Sequence, residues 1–326
     1  MKKNRKYSIS IGLAVVLIVG YLVADSILFD GVRSKPIHEN GFQANYFAQD
    51  GIENKTTIIL IGGGRWGDYW AQEFAKKEMV GLSLPYSGKE GLPRLPEAID
   101  LEYFERAIEW LGNQKEVNSD KIMVMGASRN AELALVLAST LPKMISGVIA
   151  YAPSAVSWSN TVLPYNSNTL KPSWRYKGTA IPYLPMEKIK GDSSNTIQMI
   201  PYWENGLAKT GLADKAAIQV EQVNGPILLF SGIDDKVWPS VKMADMIEKR
   251  LKENDFQYPF KNIKYEDAGH LISTNPAQNS NTKLGQLHID GRDYEYEFGG
   301  TDDGNFKAKK DAYAQVFNFL SSLKNE

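Results

Sequence analysis

The sequence predicts an α/β fold: a mostly parallel sheet with helices on both faces. Three observations carry the prediction. Short apolar runs rich in Ile, Val and Leu recur through the chain, as strands buried on both faces require. Segments with helical spacing of apolar residues alternate with them. Glycine-rich or acidic turns follow several of the runs, at positions where a parallel sheet would gather them along one edge.

Taken in order, the chain opens on Lys2, Lys3, Arg5 and Lys6, followed by an uncharged, largely aliphatic stretch from Tyr7 to Ala24. That is close to the roughly 20 residues that span a bilayer as a helix, and the basic flank orients the N-terminus to the cytoplasm. Residues 1–28 are therefore expected to form a transmembrane anchor, with the remainder outside the cell. Ala24-Asp25-Ser26 offers a small-x-small cleavage site and hence a secreted alternative, but the apolar stretch is long for a cleaved signal. Residues 29–55 read as a linker or a peripheral hairpin.

The domain proper is expected over 56–326. Thr57 to Ile61 is a buried-strand signal that runs into Gly62-Gly63-Gly64-Arg65. A helix follows over 68–77, a strand over 79–84, and a helix over 101–112 with Leu101, Phe104, Ala107, Ile108 and Leu111 on one face. Ile122 to Met125 is a strand, Gly126-Ala127-Ser128-Arg129-Asn130 a sharp turn, and 131–137 a helix. Gly147 to Tyr151 is the next strand. About 155–215 the pattern breaks into an insertion crowded with Trp158, Trp174, Trp203, tyrosines and prolines, which suits an aromatic cap better than a disordered linker. Strands return at 226–232, ending in Asp234-Asp235, and at 262–265, ending in Gly269-His270. The helix over 307–323 sets Ala312, Val316, Phe317 and Leu320 on one face.

Composition removes several classes of function. The formal net charge of −1 gives no argument for a nucleic-acid partner. There are no cysteines, which excludes disulfides, thiolate metal sites and a cysteine nucleophile. His38, His270 and His288 form no ligand-spaced pair, so no metal or other cofactor is expected.

The candidate chemistry lies at three strand ends. A serine in a strand–turn–helix elbow has its hydroxyl lifted above the sheet edge, with the helix N-terminus aimed at any anion that forms there. Ser128, Asp235 and His270 then fall in the chain order and placement of the α/β-hydrolase triad. In that scheme Ser128 attacks a carbonyl, His270 moves the proton and Asp235 orients the imidazole. Asp234 competes with Asp235, but the Gly-x-x-Asp then Val-x-Pro spacing favours Asp235. The amide of Arg129 and one from Gly63, Gly64 or Arg65 would hold the oxyanion. His288 reads as a surface residue. Asn130 stands where a second small residue is usual, and Asn tolerates unusual backbone angles.

Several segments together resemble one family. They are Gly62-Gly63-Gly64, Leu92-Pro93, Ile99 to Glu105, Gly126-Ala-Ser-Arg129, Tyr151 to Ser154, Val220-Glu221, Gly225-Pro226, Asp234-Asp-Lys-Val-Trp-Pro-Ser240, Ala268-Gly-His270 and Gly299-Gly-Thr301. From about Thr56 onward the chain is similar to the C-terminal catalytic domain of the acyl-CoA thioesterase and bile acid-CoA:amino acid N-acyltransferase family. Residues before Thr56 are too few for the β-sandwich that eukaryotic members carry. The resemblance implies a serine hydrolase acting on an acyl thioester or ester, since Ser128 matches the thioesterase branch and the transferase branch uses cysteine. Asn130 replaces the family's glycine. Two rivals remain: a prolyl-oligopeptidase-like peptidase with the same triad, and a catalytically inactive binding protein on a hydrolase scaffold.

Overall fold

The structure, a computed structural model, describes residues 12–21, 23–24, 32–160, 169–277 and 283–323. Its centre is an eight-stranded sheet. Strands β1 (Ser34–Glu39) and β2 (Phe42–Phe47) form a hairpin that pairs antiparallel onto β4 (Val80–Leu84). The sheet continues as β3 (Lys55–Ile61), β6 (Val117–Ala127), β7 (Val148–Tyr151), β10 (Ile227–Gly232) and β11 (Phe260–Tyr265), all parallel, in the spatial order β1-β2-β4-β3-β6-β7-β10-β11. Of the two expectations for 29–55, the hairpin is the one found, and it is part of the main sheet rather than a linker.

Alternation along the central strands explains why both faces are covered. Ile59, Ile61, Ile122, Val124, Val148, Ala150, Ile227 and Leu229 point into one apolar layer. Their neighbours Ile58, Leu60, Met123, Met125, Ile149, Tyr151, Leu228 and Phe230 point into the other. Helices α1 (Gly64–Ala75) and α7 (Asp302–Ser322) bury their apolar stripes in the second layer. Helices α2 (Glu102–Gly112), α3 (Arg129–Thr140) and α6 (Ser240–Glu253) pack in the first. Helix α1 begins four residues before the predicted 68, and α6 was not expected at all: its stripe of Met243, Ala244, Ile247 and Leu251 shares the helix with seven charged residues.

The predicted cap is real but more ordered than its sequence suggests. It contains β8 (Trp174–Tyr176), β9 (Thr179–Ala180), α4 (Ile200–Leu207) and α5 (Thr210–Ala216), and β8 joins the short β5 (Ile99–Asp100). Its Trp158, Trp174, Leu184, Ile189 and Trp203 are buried with the first layer, so cap and sheet share one core. Residues 161–168 of the predicted cap lie outside the described residues.

A second excursion was missed. Strands β12 (Leu284–Ile289) and β13 (Arg292–Glu297) form a hairpin between the His270 loop and α7. Arg292 reaches from it to the carbonyls of Asp192 (2.9 Å) and Ser194 (3.0 Å) and to Asn195 Oδ1 (2.7 Å), tying hairpin to cap. Asp290-Gly291 in the turn is the signal that could have found it. Among the described residues, no helix is long and apolar enough to cross a membrane. Of the predicted anchor, residues 12–21 and 23–24 are helical and exposed, and the rest of 1–28 lies outside the described residues.

Candidate active site

The carboxyl ends of β3, β6, β10 and β11 meet on one sheet edge, and each delivers one part of the site. Ser128 follows β6 with φ 59° and ψ −125°, a left-handed geometry that a non-glycine residue adopts only under constraint. Its N–H donates to the Tyr151 carbonyl (2.9 Å), and its own carbonyl accepts from Ala131 N (2.9 Å) and Glu132 N (3.1 Å). Gly126 lets the strand and helix cross: a Cβ there would lie 2.1 Å from the Asn130 carbonyl oxygen.

Asn130 works differently from the sequence expectation. It sits in the first turn of α3 with φ on the ordinary negative side, so its tolerance of unusual angles is not used; Ser128 carries the strain instead. The Asn130 side chain fills the space over Gly62 and accepts a hydrogen bond from the Tyr86 hydroxyl at 2.7 Å.

Asp235 and His270 lie where the spacing put them. His270 Nδ1 is 2.8 Å from Asp235 Oδ2, and its Nε2 is 2.9 Å from Ser128 Oγ. Asp235 and His270 are both buried. The second oxygen of Asp235 accepts from Val237 N (2.9 Å) and Trp238 N (3.2 Å), which fixes the carboxylate plane. Asp234 serves the turn: its carboxylate accepts from Gly300 N at 2.8 Å and pairs with Lys236 at 2.6 Å. Burial resists ionisation of Asp234, but Lys236 and the Gly300 amide outweigh it and hold the carboxyl below its usual range.

The histidine is clamped from several sides. Its main-chain N–H donates to the Phe298 carbonyl (2.8 Å), the Phe298 ring stacks on the imidazole, and Trp238 meets it edge-on at 6.0 Å between centroids. Further along the same loop, the Ser273 carbonyl accepts from the indoles of Trp66 (3.0 Å) and Trp70 (2.9 Å) on α1. Asn305 of α7 accepts from Gly269 N at 2.8 Å. None of these supports was read from the sequence, because each joins residues far apart in the chain.

For the anion, Arg129 occupies the first position of α3, where main-chain amides have no intrahelical acceptor. The glycine turn after β3 ends on Gly63 with φ 55° and ψ −139° before α1 begins. Gly63 corrects one expectation: its amide donates to the Leu60 carbonyl at 3.2 Å, so it is committed to the turn. Gly64 and Arg65 hold the first-turn amides of α1. His288 is exposed and pairs with Asp293 on the β12–β13 hairpin. A cavity of about 670 Å³ opens beside Asp235, bounded by Ile200, Ile233, Trp238, Pro239, Val241 and Met246.

An ion pair with one buried member was also missed. Arg129 and Glu132 bond one turn apart on α3, with Glu132 fully buried on a helix otherwise apolar from Ala131 to Ala138. A lone charge in such a run is the sequence signal that could have drawn attention to it.

Comparison with known proteins now fits this arrangement. Residues 99–325 match the family described as BAAT / Acyl-CoA thioester hydrolase C terminal. The chain belongs to this family. Among curated members, mouse acyl-coenzyme A thioesterase 1 is 29% identical over 295 residues, covering 90% of this chain and 66% of its own length. Human acyl-coenzyme A thioesterase 6 is 27% identical over 298 residues, covering 89% and 65%. The chain thus spans just under two thirds of the length of these two relatives. Among solved structures, the carboxylesterase Cest-2923 of Lactobacillus plantarum superposes with a TM-score of 0.52 at 12% identity, covering 90% of this chain and 98% of the other. A dienelactone hydrolase-like promiscuous phosphotriesterase from metagenomic libraries gives 0.51 at 12%, with coverage of 90% and 98%. At such identities these likenesses establish the α/β-hydrolase fold of this family member and nothing finer.

Proposed function

We propose that the chain is a serine hydrolase that cleaves an acyl thioester or ester through an acyl-enzyme on Ser128. The observation that carries this reading is the unbroken relay from Asp235 through His270 to Ser128, at 2.8 and 2.9 Å. In the proposed reaction, His270 Nε2 takes the Ser128 proton as Oγ adds to the acyl carbon. Asp235 steadies the imidazolium. The oxyanion lies against the Arg129 amide and the amide of Gly64 or Arg65. Collapse expels the thiolate or alkoxide, which leaves with the proton from His270. Water, deprotonated by the same imidazole, then releases the acid and restores Ser128.

An acyl thioester is the favoured substrate class, because the curated relatives are named acyl-coenzyme A thioesterases. The apolar stretch 7–24 behind four basic residues supports a single-pass anchor that places the domain outside the cytoplasm, with secretion as the alternative. That location would leave the leaving group open, since an extracytoplasmic enzyme meets esters more readily than a coenzyme thioester.

Labelling with a fluorophosphonate probe tests the mechanism. Wild type should label, and Ser128→Ala and His270→Ala should not. Acyl thioesters, p-nitrophenyl esters and peptide anilides then separate the substrate classes. A folded wild type that takes no label sinks the reading in favour of a binding protein, and cleavage of the anilide alone selects the peptidase.

A further inference from the structure

Glu132 poses a problem that packing does not solve. A fully buried carboxylate is costly unless paired, and a buried pair is commonly no more stabilising than apolar residues of the same volume. Burial pushes the Glu132 carboxyl above its usual range, against the opposing pull of Arg129 and of the Trp158 and Trp174 N–H donors. What the pair does accomplish is visible in where its bonds go. Glu132 Oε1 accepts from the main-chain N of Trp158 (3.0 Å) and from the Trp174 indole (2.8 Å). Arg129 donates to the Ser159 carbonyl (3.1 Å) and the Ser173 hydroxyl (2.6 Å), with its guanidinium over the Trp174 ring at 5.7 Å. Apart from the bond between Arg129 and Glu132 themselves, these contacts all end on the cap, in the two segments that flank residues 161–168.

We infer that the Arg129–Glu132 pair is a positioning clamp that fixes the Arg129 amide beside Ser128 by tying the start of α3 to the cap. The inference rests on the serine-hydrolase reading above. It makes Glu132 a positioning residue: it touches no reacting atom but holds the residue whose main-chain N–H faces the oxyanion. Cap and anion site are thereby braced by the same pair, so that turnover, rather than affinity, depends on it.

The test compares Glu132→Gln, Arg129→Lys and the double variant Arg129→Met/Glu132→Gln in the full chain. Thermal unfolding and steady-state kinetics are measured on whichever acyl substrate the wild type turns over. The double variant leaves no uncompensated buried charge, and its glutamine oxygen can still accept from Trp158 and Trp174, so it should melt close to wild type. We expect its kcat to fall roughly 10- to 100-fold with KM within about threefold, the scale of one compromised oxyanion donor. A purely structural pair predicts the reverse: restored melting with restored kcat, and that result overturns the clamp. Should the double variant fail to melt cooperatively, Arg129→Lys decides, since it keeps the charge but cannot span Glu132, Ser159 and Ser173 together. A kcat loss of about tenfold at wild-type melting temperature supports the clamp, and an unchanged kcat overturns it. If wild type and Ser128→Ala are equally inactive, the hydrolase reading itself has failed and the clamp's catalytic role falls with it, an outcome distinct from an active wild type indifferent to the clamp.

Discussion

Two strand–turn–helix elbows among the described residues have nearly the same backbone and opposite contents. At the first, β3 turns into α1 through Gly63 at φ 55° and ψ −139°. At the second, β6 turns into α3 through Ser128 at φ 59° and ψ −125°. Glycine adopts this conformation freely, whereas a serine adopts it at a cost of about 1–3 kcal/mol. The cost at Ser128 is offset by the surrounding sheet, and the return is a hydroxyl 2.9 Å from His270. Gly63 presents no side chain, and what its elbow offers is a pair of main-chain amides at the start of a helix. One elbow carries a serine hydroxyl, the other bare backbone.

Making the elbows alike should break the site from either direction. The largest effect is expected from Gly63→Ala. A Cβ there would lie 2.6 Å from Pro85 N, so the turn must shift and the α1 amides with it. We expect a loss of about 2–4 kcal/mol in denaturant unfolding, with kcat down at least about a hundredfold. Ser128→Gly runs the other way: it removes the backbone strain, so the protein should gain about 1 kcal/mol of stability while fluorophosphonate labelling disappears. A Ser128→Gly variant no more stable than Ser128→Ala would show that the elbow is not strained.

Asn130→Gly probes what the helix side of the serine elbow leans on. It deletes the Tyr86 hydrogen bond and the contact over Gly62. About 1–2 kcal/mol should be lost, from the bond and from a glycine inside a helix, with little change in kcat. The smallest effect separates the two helices by charge, because α3 buries Glu132 in its first turn and α1 has no acid there. With the folded carboxyl of Glu132 raised above its unfolded value, its contribution to stability is complete below the ordinary carboxylate range. That contribution is lost as pH rises through the raised folded value. Glu132→Gln should flatten this part of the stability–pH curve, which urea melts at a series of pH values would reveal.

The difference between the elbows also separates what the chain discloses from what it conceals. Ser128, Asp235 and His270 were legible because each sits just after an apolar strand, and strand ends of a parallel sheet converge by construction. The glycine run 62–64 announced a close backbone approach, yet not which amide is already committed; that depends on the Leu60 carbonyl behind Gly63. Asn130 could be seen to be unusual, but its role required knowing that Tyr86 lies opposite. Helix α6 and the β12–β13 hairpin escaped because charges interrupt the stripe of one and exposed polar residues dominate the other. The supports of His270 come from Trp66, Trp70, Phe298 and Asn305, and no local pattern links those positions.

Those supports bear on the order in which the molecule is put together. The serine elbow and the strands around it draw on the first half of the chain. The histidine loop is pinned by Asn305 of the last helix and by indoles about two hundred residues upstream, at sequence separations of 203 and 207. Contacts of such reach form late, since the entropy of closing the intervening loops must be met before they contribute. A nascent or partly unfolded chain can therefore hold the finished Ser128 elbow without His270 beside it. If Ser128 reacts as proposed, its reactivity would report that α7 has docked.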